Sequence, residues 1–152
     1  MKFELNIAAI PEGSEIPVLY TCDGANISPS IEWRGEPQGT LSYALIVDDP
    51  DAPAGTWNHW LLYDIPGHVH ALAQGIKTNA LGVSGRNDFG KLGYGGPCPP
   101  RGHGVHRYFF RLSALNVASL GLREGDSRKA LDTAMRGHVL AVTTAFGVYK
   151  RS

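Results

Sequence analysis

The sequence has few charged residues, few cysteines and no long hydrophobic run. Charged residues make up 18% of the 152 positions, below the ~25% of an average protein, and 14 basic residues balance 14 acidic ones. This zero net charge argues against binding nucleic acid through bulk positive charge. The longest apolar stretch, 43–47, is far shorter than the ~20 residues of a membrane-spanning helix. We therefore expect neither a nucleic-acid partner nor a transmembrane segment.

The start of the sequence and its cysteines also lack the features of a secreted protein. Glu4 places a carboxylate where a signal peptide needs apolar residues, which predicts a cytoplasmic protein. Cys22 and Cys98 fit neither a disulfide framework nor a Cys-x-x-Cys metal motif. The sequence leaves the state of these two cysteines open.

Glycine, proline and apolar residues are plentiful by comparison. The 19 Gly and 10 Pro show no triplet period and therefore predict many turns, which is typical of an all-β or loop-rich fold. Apolar residues reach 43%, enough for one hydrophobic core in a chain of this length. We find no repeat and no linker, so residues 1–152 are expected to form a single domain.

Alternating apolar and polar positions predict a mainly β protein with one late helix. The helix is predicted after a cap at Asp126 or Ser127, because apolar side chains from Ala130 to Met135 then share a face. A short helix is also expected around 70–74, and the glycine-rich stretch 82–104 is expected to be a long loop. The predicted strands are 3–7, 16–21, 42–47, 59–64, 105–115 and 139–149.

Two polar clusters carry the functional signal. The first is the acidic turn Asp48–Pro53, which follows an apolar strand and precedes Trp57 and His59. The second is the glycine- and proline-rich stretch 95–105, which leads into a strand that opens with His106 and Tyr108. Because side chains two apart on a strand face the same side, these last two are expected to point together.

The residue types in these clusters favour recognition of an anion. Histidine and tyrosine offer N–H and O–H donors, and glycine-rich backbone can present its amide groups. Asp49 or Asp51 could bind a histidine and favour its charged form. Each piece alone is more commonly structural: an Asp-Pro-Asp turn is usually a plain turn, and a lone histidine is usually a hydrogen-bonded core residue.

Other chemistries remain open at the same positions. His59, His103 and His106 could supply three zinc ligands, although a pair of histidines spaced like His103 and His106 on a loop is common by chance. Cys98 could be a reactive thiol near His106. A hydrolase using Asp49, His59 and His106 is a further alternative.

Taken together, the motifs resemble the phosphatidylethanolamine-binding protein family, in particular its short bacterial and archaeal branch called Raf kinase inhibitor-like. The resemblance covers nearly the whole chain. In animal members two histidines stand side by side, whereas here Asn58 occupies the first of the two places before His59. The matching segments are 49–53 with His59, 96–102 with His106-Arg107-Tyr108, 20–29 with Trp33, 86–90, and 137–149.

The resemblance implies a fold, a site and a function. The fold would be a Greek-key antiparallel β-sandwich with a C-terminal β-α-β element and few short helices. The function would be non-catalytic binding of a phosphate-like anion or a phospholipid head group, without metal or cofactor. The alternative function is that of a regulatory inhibitor, in which the same loops block a protein partner, a kinase or a protease. A homodimer is a further expectation. The implied pocket comprises Asp49, Asp51, His59, Pro100, His106 and Tyr108, with Trp57, Gly95 and Gly96 at its rim.

Overall fold

The computed structural model describes residues 2–152 and shows two antiparallel sheets and one α-helix. The elements in chain order are β1 (Glu4–Asn6), a 3-10 helix (Val18–Tyr20), β2 (Ile31–Arg34), β3 (Ser42–Asp49), β4 (Trp57–Pro66), β5 (Ala71–Leu72), β6 (Val83–Ser84), β7 (His106–Leu115), α1 (Arg128–Met135) and β8 (Val139–Tyr149). The mainly β fold predicted from the sequence is confirmed. Among the described residues no helix is both long enough and apolar enough to cross a membrane.

The larger sheet has the strand order β6-β4-β3-β7-β8, so β3 lies at its centre. All eight residues of β3 are buried, which explains why the strand reads as an apolar run. Its side chains alternate between two cores. Tyr43, Leu45 and Val47 pack against the small sheet β1-β2-β5, whereas Ala44 and Ile46 pack on the opposite face under α1.

Helix α1 forms as the sequence predicts. The Ser127 side chain accepts a hydrogen bond from the backbone N–H of Ala130 at 3.1 Å and so caps the helix. Leu131 and Met135, four residues apart, are the buried side chains of α1 and lie in the same core as Ile46. The helix thereby covers the face of the sheet that the small sheet leaves open.

Two predicted elements are wrong. The segment 16–21 is not a strand, because only Ile16 donates a backbone hydrogen bond to Val148 of β8, and the chain turns into a 3-10 helix directly after Pro17. The segment 70–74 is not a helix, because Ala71–Leu72 pair with β2 instead. At 71–72 tertiary strand pairing overrides a weak local preference for helix.

Cys22 and Cys98 form a disulfide, with their Cα atoms 5.4 Å apart. Their number and spacing had not fitted a disulfide framework, because that argument concerns small scaffolds stapled by several bridges. Sequence spacing says little about distance in a β-sandwich, where connections bring remote loops together. The interpretation of Cys98 as a reactive thiol is therefore wrong.

Candidate functional site

The candidate site lies where β3 ends and where β4 and β7 begin. In this sheet Asp49 pairs with Trp57 of β4, and Asp48 pairs with Phe109 of β7. Because successive side chains of a strand point to opposite faces, Asp48 and Asp49 serve different sides of the sheet. Asp49 turns to the cavity described below.

Asp48 forms the polar contacts of the helix side. It makes ion pairs with Arg111 at 3.1 Å and with Arg128 of α1 at 3.0 Å. Asn58 belongs to the same network, because its amide oxygen accepts a hydrogen bond from Arg128 at 2.9 Å. Asn58 therefore ties the helix to β4.

A cavity of about 210 Å³ opens between these strand ends and the glycine-rich loop. A larger open groove of about 970 Å³ runs between the small sheet and β8, but none of the predicted site residues lines it. The smaller cavity brings together most of the predicted set. Its lining residues are Asp49, Ala52, Pro53, Trp57, His59, Phe89, Cys98, Pro99, Pro100, His106 and Tyr108.

A chain of hydrogen bonds joins one carboxylate and two imidazoles at the floor of this cavity. Nδ1 of His106 lies 2.7 Å from Oδ2 of Asp49, and Nε2 of His106 lies 2.6 Å from Nδ1 of His103. Asp49 and His106 are almost fully buried, whereas His103 is exposed. Both ring nitrogens of His106 are thus occupied by protein groups. A ligand in the cavity can contact the His106 ring, but it cannot hydrogen-bond to either of its nitrogens.

His59 has one ring nitrogen left for a ligand. Its Nδ1 lies 2.7 Å from the carbonyl oxygen of Gly95, which only accepts, so Nδ1 carries a proton and donates. Nε2 has no hydrogen-bond partner within residues 2–152. Burial lowers the pKa of His59, and the Gly95 hydrogen bond and the charge of Asp49 only partly oppose this. A neutral His59 therefore presents the lone pair of Nε2.

Two further polar atoms of the cavity lining make no hydrogen bond of normal geometry within the described part of the chain. They are the hydroxyl of Tyr108 and the indole N–H of Trp57, and both are buried. Leaving a buried polar group unpaired costs about 1–3 kcal/mol, so such groups call for an explanation. Burial, reinforced by the charge of Asp49, raises the pKa of Tyr108, which keeps its hydroxyl protonated and able to donate.

Three residues of the predicted set do not line the cavity. Asp51 turns to Arg107, which donates two side-chain hydrogen bonds of 2.9 Å and one backbone hydrogen bond of 2.9 Å. The Arg107 hydrogen bonds lower the pKa of Asp51 to about 2. Gly95 supports the site from behind, because it binds the backbone and the ring of His59. Gly96 donates to Asn26 at 2.8 Å.

Several groups at the site were missed or misread from the sequence. Phe89 lines the cavity and packs edge-on against Trp57 and His59, with ring centroids 5.5 and 5.4 Å apart. It is a single aromatic residue in a glycine-rich loop, a pattern that gives no periodic signal. His103 was weighed only as a zinc ligand. Within the described residues no group of three or more His, Cys, Asp or Glu side chains is arranged to hold a metal ion.

The sequence of this chain matches known proteins over nearly its whole length. The family described as "Phosphatidylethanolamine-binding protein" matches residues 6–150. A UPF0098 protein of Aquifex aeolicus is 54% identical over 142 residues, covering 91% of this chain and 83% of the relative. UPF0098 protein YbcL of Escherichia coli is 38% identical over 138 residues, covering 86% of this chain and 75% of the relative.

Solved structures agree with these sequence matches. The crystal structure of E. coli YbcL, described as a new member of the mammalian PEBP family, superposes with a TM-score of 0.92 at 33% identity and covers all of both chains. A putative PEBP homolog from Chlamydia trachomatis gives a TM-score of 0.91 at 37% identity, covering 99% of this chain and 98% of that one.

Proposed function

Because the chain belongs to the phosphatidylethanolamine-binding protein family, we propose that its cavity binds a small phosphate-type anion, free or as a phospholipid head group, without changing it chemically. The observation that carries this proposal is the pair of orphaned donors, Trp57 Nε1 and Tyr108 Oη, at one cavity. An oxygen-rich ligand would satisfy both. The cost of leaving them unpaired is then recovered when the ligand binds.

The walls of the cavity strengthen such an interaction. Proline and aromatic side chains, among them Pro53, Pro100 and Phe89, supply an apolar lining around the few polar atoms. Apolar walls keep water away and lower the local dielectric constant, so each hydrogen bond to a charged ligand is stronger than in water. A cavity of about 210 Å³ suits a group of head-group size rather than a whole lipid.

The hydrogen bonds of His106 favour binding over hydrolysis. In a hydrolytic triad, a histidine oriented by a carboxylate uses its other nitrogen to activate a hydroxyl or a thiol. Here that nitrogen meets His103, and the sulfur of Cys98 is held in the disulfide. The Asp49–His106 pair therefore lacks the nucleophile that acyl transfer requires.

A matched pair of tryptophan variants tests the proposal. Trp57 and Trp33 each bury an unpartnered indole N–H, but only Trp57 lines the cavity. Calorimetric titration with sulfate at pH 6 is expected to show about 2- to 10-fold weaker binding for Trp57→Phe and unchanged binding for Trp33→Phe. Equal affinities of both variants and the wild type would contradict the proposal.

A second measurement separates binding from turnover. The wild-type protein incubated with p-nitrophenyl phosphate is expected to release no nitrophenol, while the same ester competes with sulfate for the site. Turnover that disappears in a His59→Gln variant would favour the hydrolase instead.

A further inference from the structure

His103 is the one member of the hydrogen-bonded chain that reaches solvent. It lies between Gly102 and Gly104, which both adopt positive φ angles, at 74° and 99°. Its Nδ1 contacts Nε2 of His106, and the two ring centroids are 4.8 Å apart. The proposed function gives this exposed histidine no role, although it is coupled to the buried floor of the cavity.

The hydrogen-bond directions fix where protons lie in this chain. Asp49 only accepts, so Nδ1 of His106 carries a proton. When His106 is neutral its Nε2 must accept, and Nδ1 of His103 is the donor. The exposed Nε2 of His103 is then free. A proton added there charges the pair without breaking or reversing any hydrogen bond.

A positive charge beside the cavity would strengthen its hold on an anion. The carboxylate of Asp49 lies in the cavity lining and repels a negative ligand. A charged His59 could offset this repulsion, but burial disfavours the charged form of its imidazole. Arg107 is committed to Asp51 by three hydrogen bonds. Apart from the fixed charge of the exposed Arg101, the histidine pair is the remaining place for a positive charge beside the cavity.

We infer that the site binds its anion together with one proton, and that this proton resides on the His103–His106 pair, with His103 taking it from solvent. The inference rests on the proposed function and specifies how that site is regulated. Affinity for a ligand of constant charge then falls as pH rises, by up to about tenfold per pH unit once the free pair has lost its proton.

The groups that face the pair agree with this assignment. Asp49 of β3 stabilises the added charge through its hydrogen bond to His106. Tyr108 stacks near the ring of His106, with centroids 6.4 Å apart, and stays neutral because its pKa is raised. On β8 the residue opposite His106 is Tyr149, whose hydroxyl donates to Asp23. The pKa of Tyr149 is raised by that hydrogen bond, so it also stays neutral.

Two more charged residues lie near the pair. Arg107, the next residue after His106, is neutralised by its ion pair with Asp51. Arg101 lies two residues before His103, is exposed and carries a fixed positive charge. A fixed charge adds the same attraction for an anion at every pH, so Arg101 gives the binding no pH dependence.

Calorimetry with sulfate in several buffers of different ionisation enthalpy measures protons taken up per anion bound. Sulfate keeps its charge from pH 6 to 9, so the uptake reports on the protein alone. At a pH where the free pair is neutral, the wild-type protein is expected to take up close to one proton. Nitrogen-15 shifts of the histidine rings are expected to show that the proton arrives on His103 or His106.

Two variants of His103 separate charge from hydrogen bonding. His103→Gln keeps a donor for His106 but has no titrating nitrogen, so it is expected to lose the proton uptake and to bind sulfate at least tenfold more weakly at pH 6. His103→Lys carries a fixed charge and is expected to bind with nearly constant affinity from pH 6 to 9. His138→Gln is the matched control, because His138 bonds to Asn116 away from the cavity.

The outcomes distinguish this inference from the proposed function. If sulfate binds the wild type without proton uptake, or if His103→Gln takes up the same proton, the inference is wrong and the binding site stands. If the ring that gains the proton is His59, the assignment to the pair is also wrong. If sulfate does not bind at any pH, both proposals fail.

Discussion

His106 Nδ1 lies 2.7 Å from Asp49 Oδ2, although 57 positions separate the two residues in the chain. Both side chains are almost fully buried. The contact joins the first residue of β7 to the last residue of β3 and so fixes the cavity floor to the centre of the larger sheet. Strand pairing therefore positions the carboxylate and the imidazole at the cavity floor.

Tyr108→Phe is expected to weaken sulfate binding without lowering the stability of the fold. The variant removes a buried hydroxyl without a partner, so the free energy of unfolding in urea should stay equal or rise by up to about 1 kcal/mol. Sulfate affinity should fall about 2- to 10-fold, since a ligand loses one donor. Tyr20→Phe is the control: its hydroxyl binds Gln74 at 2.9 Å, so it should lose stability and keep sulfate affinity. A marked loss of stability in Tyr108→Phe would show that its hydroxyl has a partner.

Breaking the disulfide is expected to lower the free energy of unfolding by about 2–4 kcal/mol, because the closed loop between Cys22 and Cys98 is long. The double variant Cys22→Ala, Cys98→Ala should show the loss in urea unfolding with or without reductant. The wild type should show it only with reductant. An unchanged midpoint would mean that the two sulfurs are not joined in solution.

Asp51→Asn is expected to affect stability rather than binding. The folded-state pKa of Asp51, about 2, lies below its value near 4 in the unfolded chain. Its contribution is therefore present above pH 4 and is lost as pH falls towards 2. Both partners are partly exposed, so solvent screening limits the loss at pH 7 to about 1 kcal/mol. In urea unfolding from pH 7 to pH 2, the free energies of unfolding of the wild type and the variant should converge. Sulfate affinity at pH 6 should stay the same. A tenfold weaker affinity would place Asp51 in the site.

Gly96→Ala is expected to destabilise the fold by at least 1–3 kcal/mol. A Cβ at Gly96 would lie 2.1 Å from the carbonyl oxygen of Tyr20, so one of the two backbones must move. Gly102→Ala tests the opposite case: nothing lies within 4 Å, and only its φ of 74° carries a cost of about 1 kcal/mol. Equal losses in urea unfolding would show that the close approach at Gly96 is absent.

The long strands and the helix could be predicted because their residues repeat with a clear period. β3 contains the apolar run 43–47, β7 and β8 are ten and eleven residues long and rich in aromatic or β-branched residues, and α1 has both a cap and an apolar face. The short strands β2, β5 and β6 were missed, and β6 lies in the stretch 82–104 that was expected to be a loop. They hold two to four residues each, and their pairing with other strands is not visible in the sequence.

The site depended more on resemblance than on pattern. Asp49, His59, His106 and Tyr108 lie on three strands, and nothing in their spacing shows that these strand ends meet. Asp51 was predicted to lie in the pocket, but its carboxylate binds Arg107 instead. This ion pair could not be foreseen, because Arg107 lies 56 positions away in the sequence. The contact of His103 with His106 was not foreseen, because a histidine in a glycine-rich turn looks exposed and unconnected. A protein partner, a homodimer and a cytoplasmic location stay predictions.

The opposite directions of Asp48 and Asp49 limit how β3 can evolve. A single-residue insertion or deletion within the strand would exchange their faces, placing the arginine-binding carboxylate in the cavity and the histidine-binding one beneath the helix. Each would then lose its partner in a buried place. An insertion or deletion of two residues would keep both side chains on their present faces. Length changes within β3 that preserve the site are therefore expected in steps of two residues.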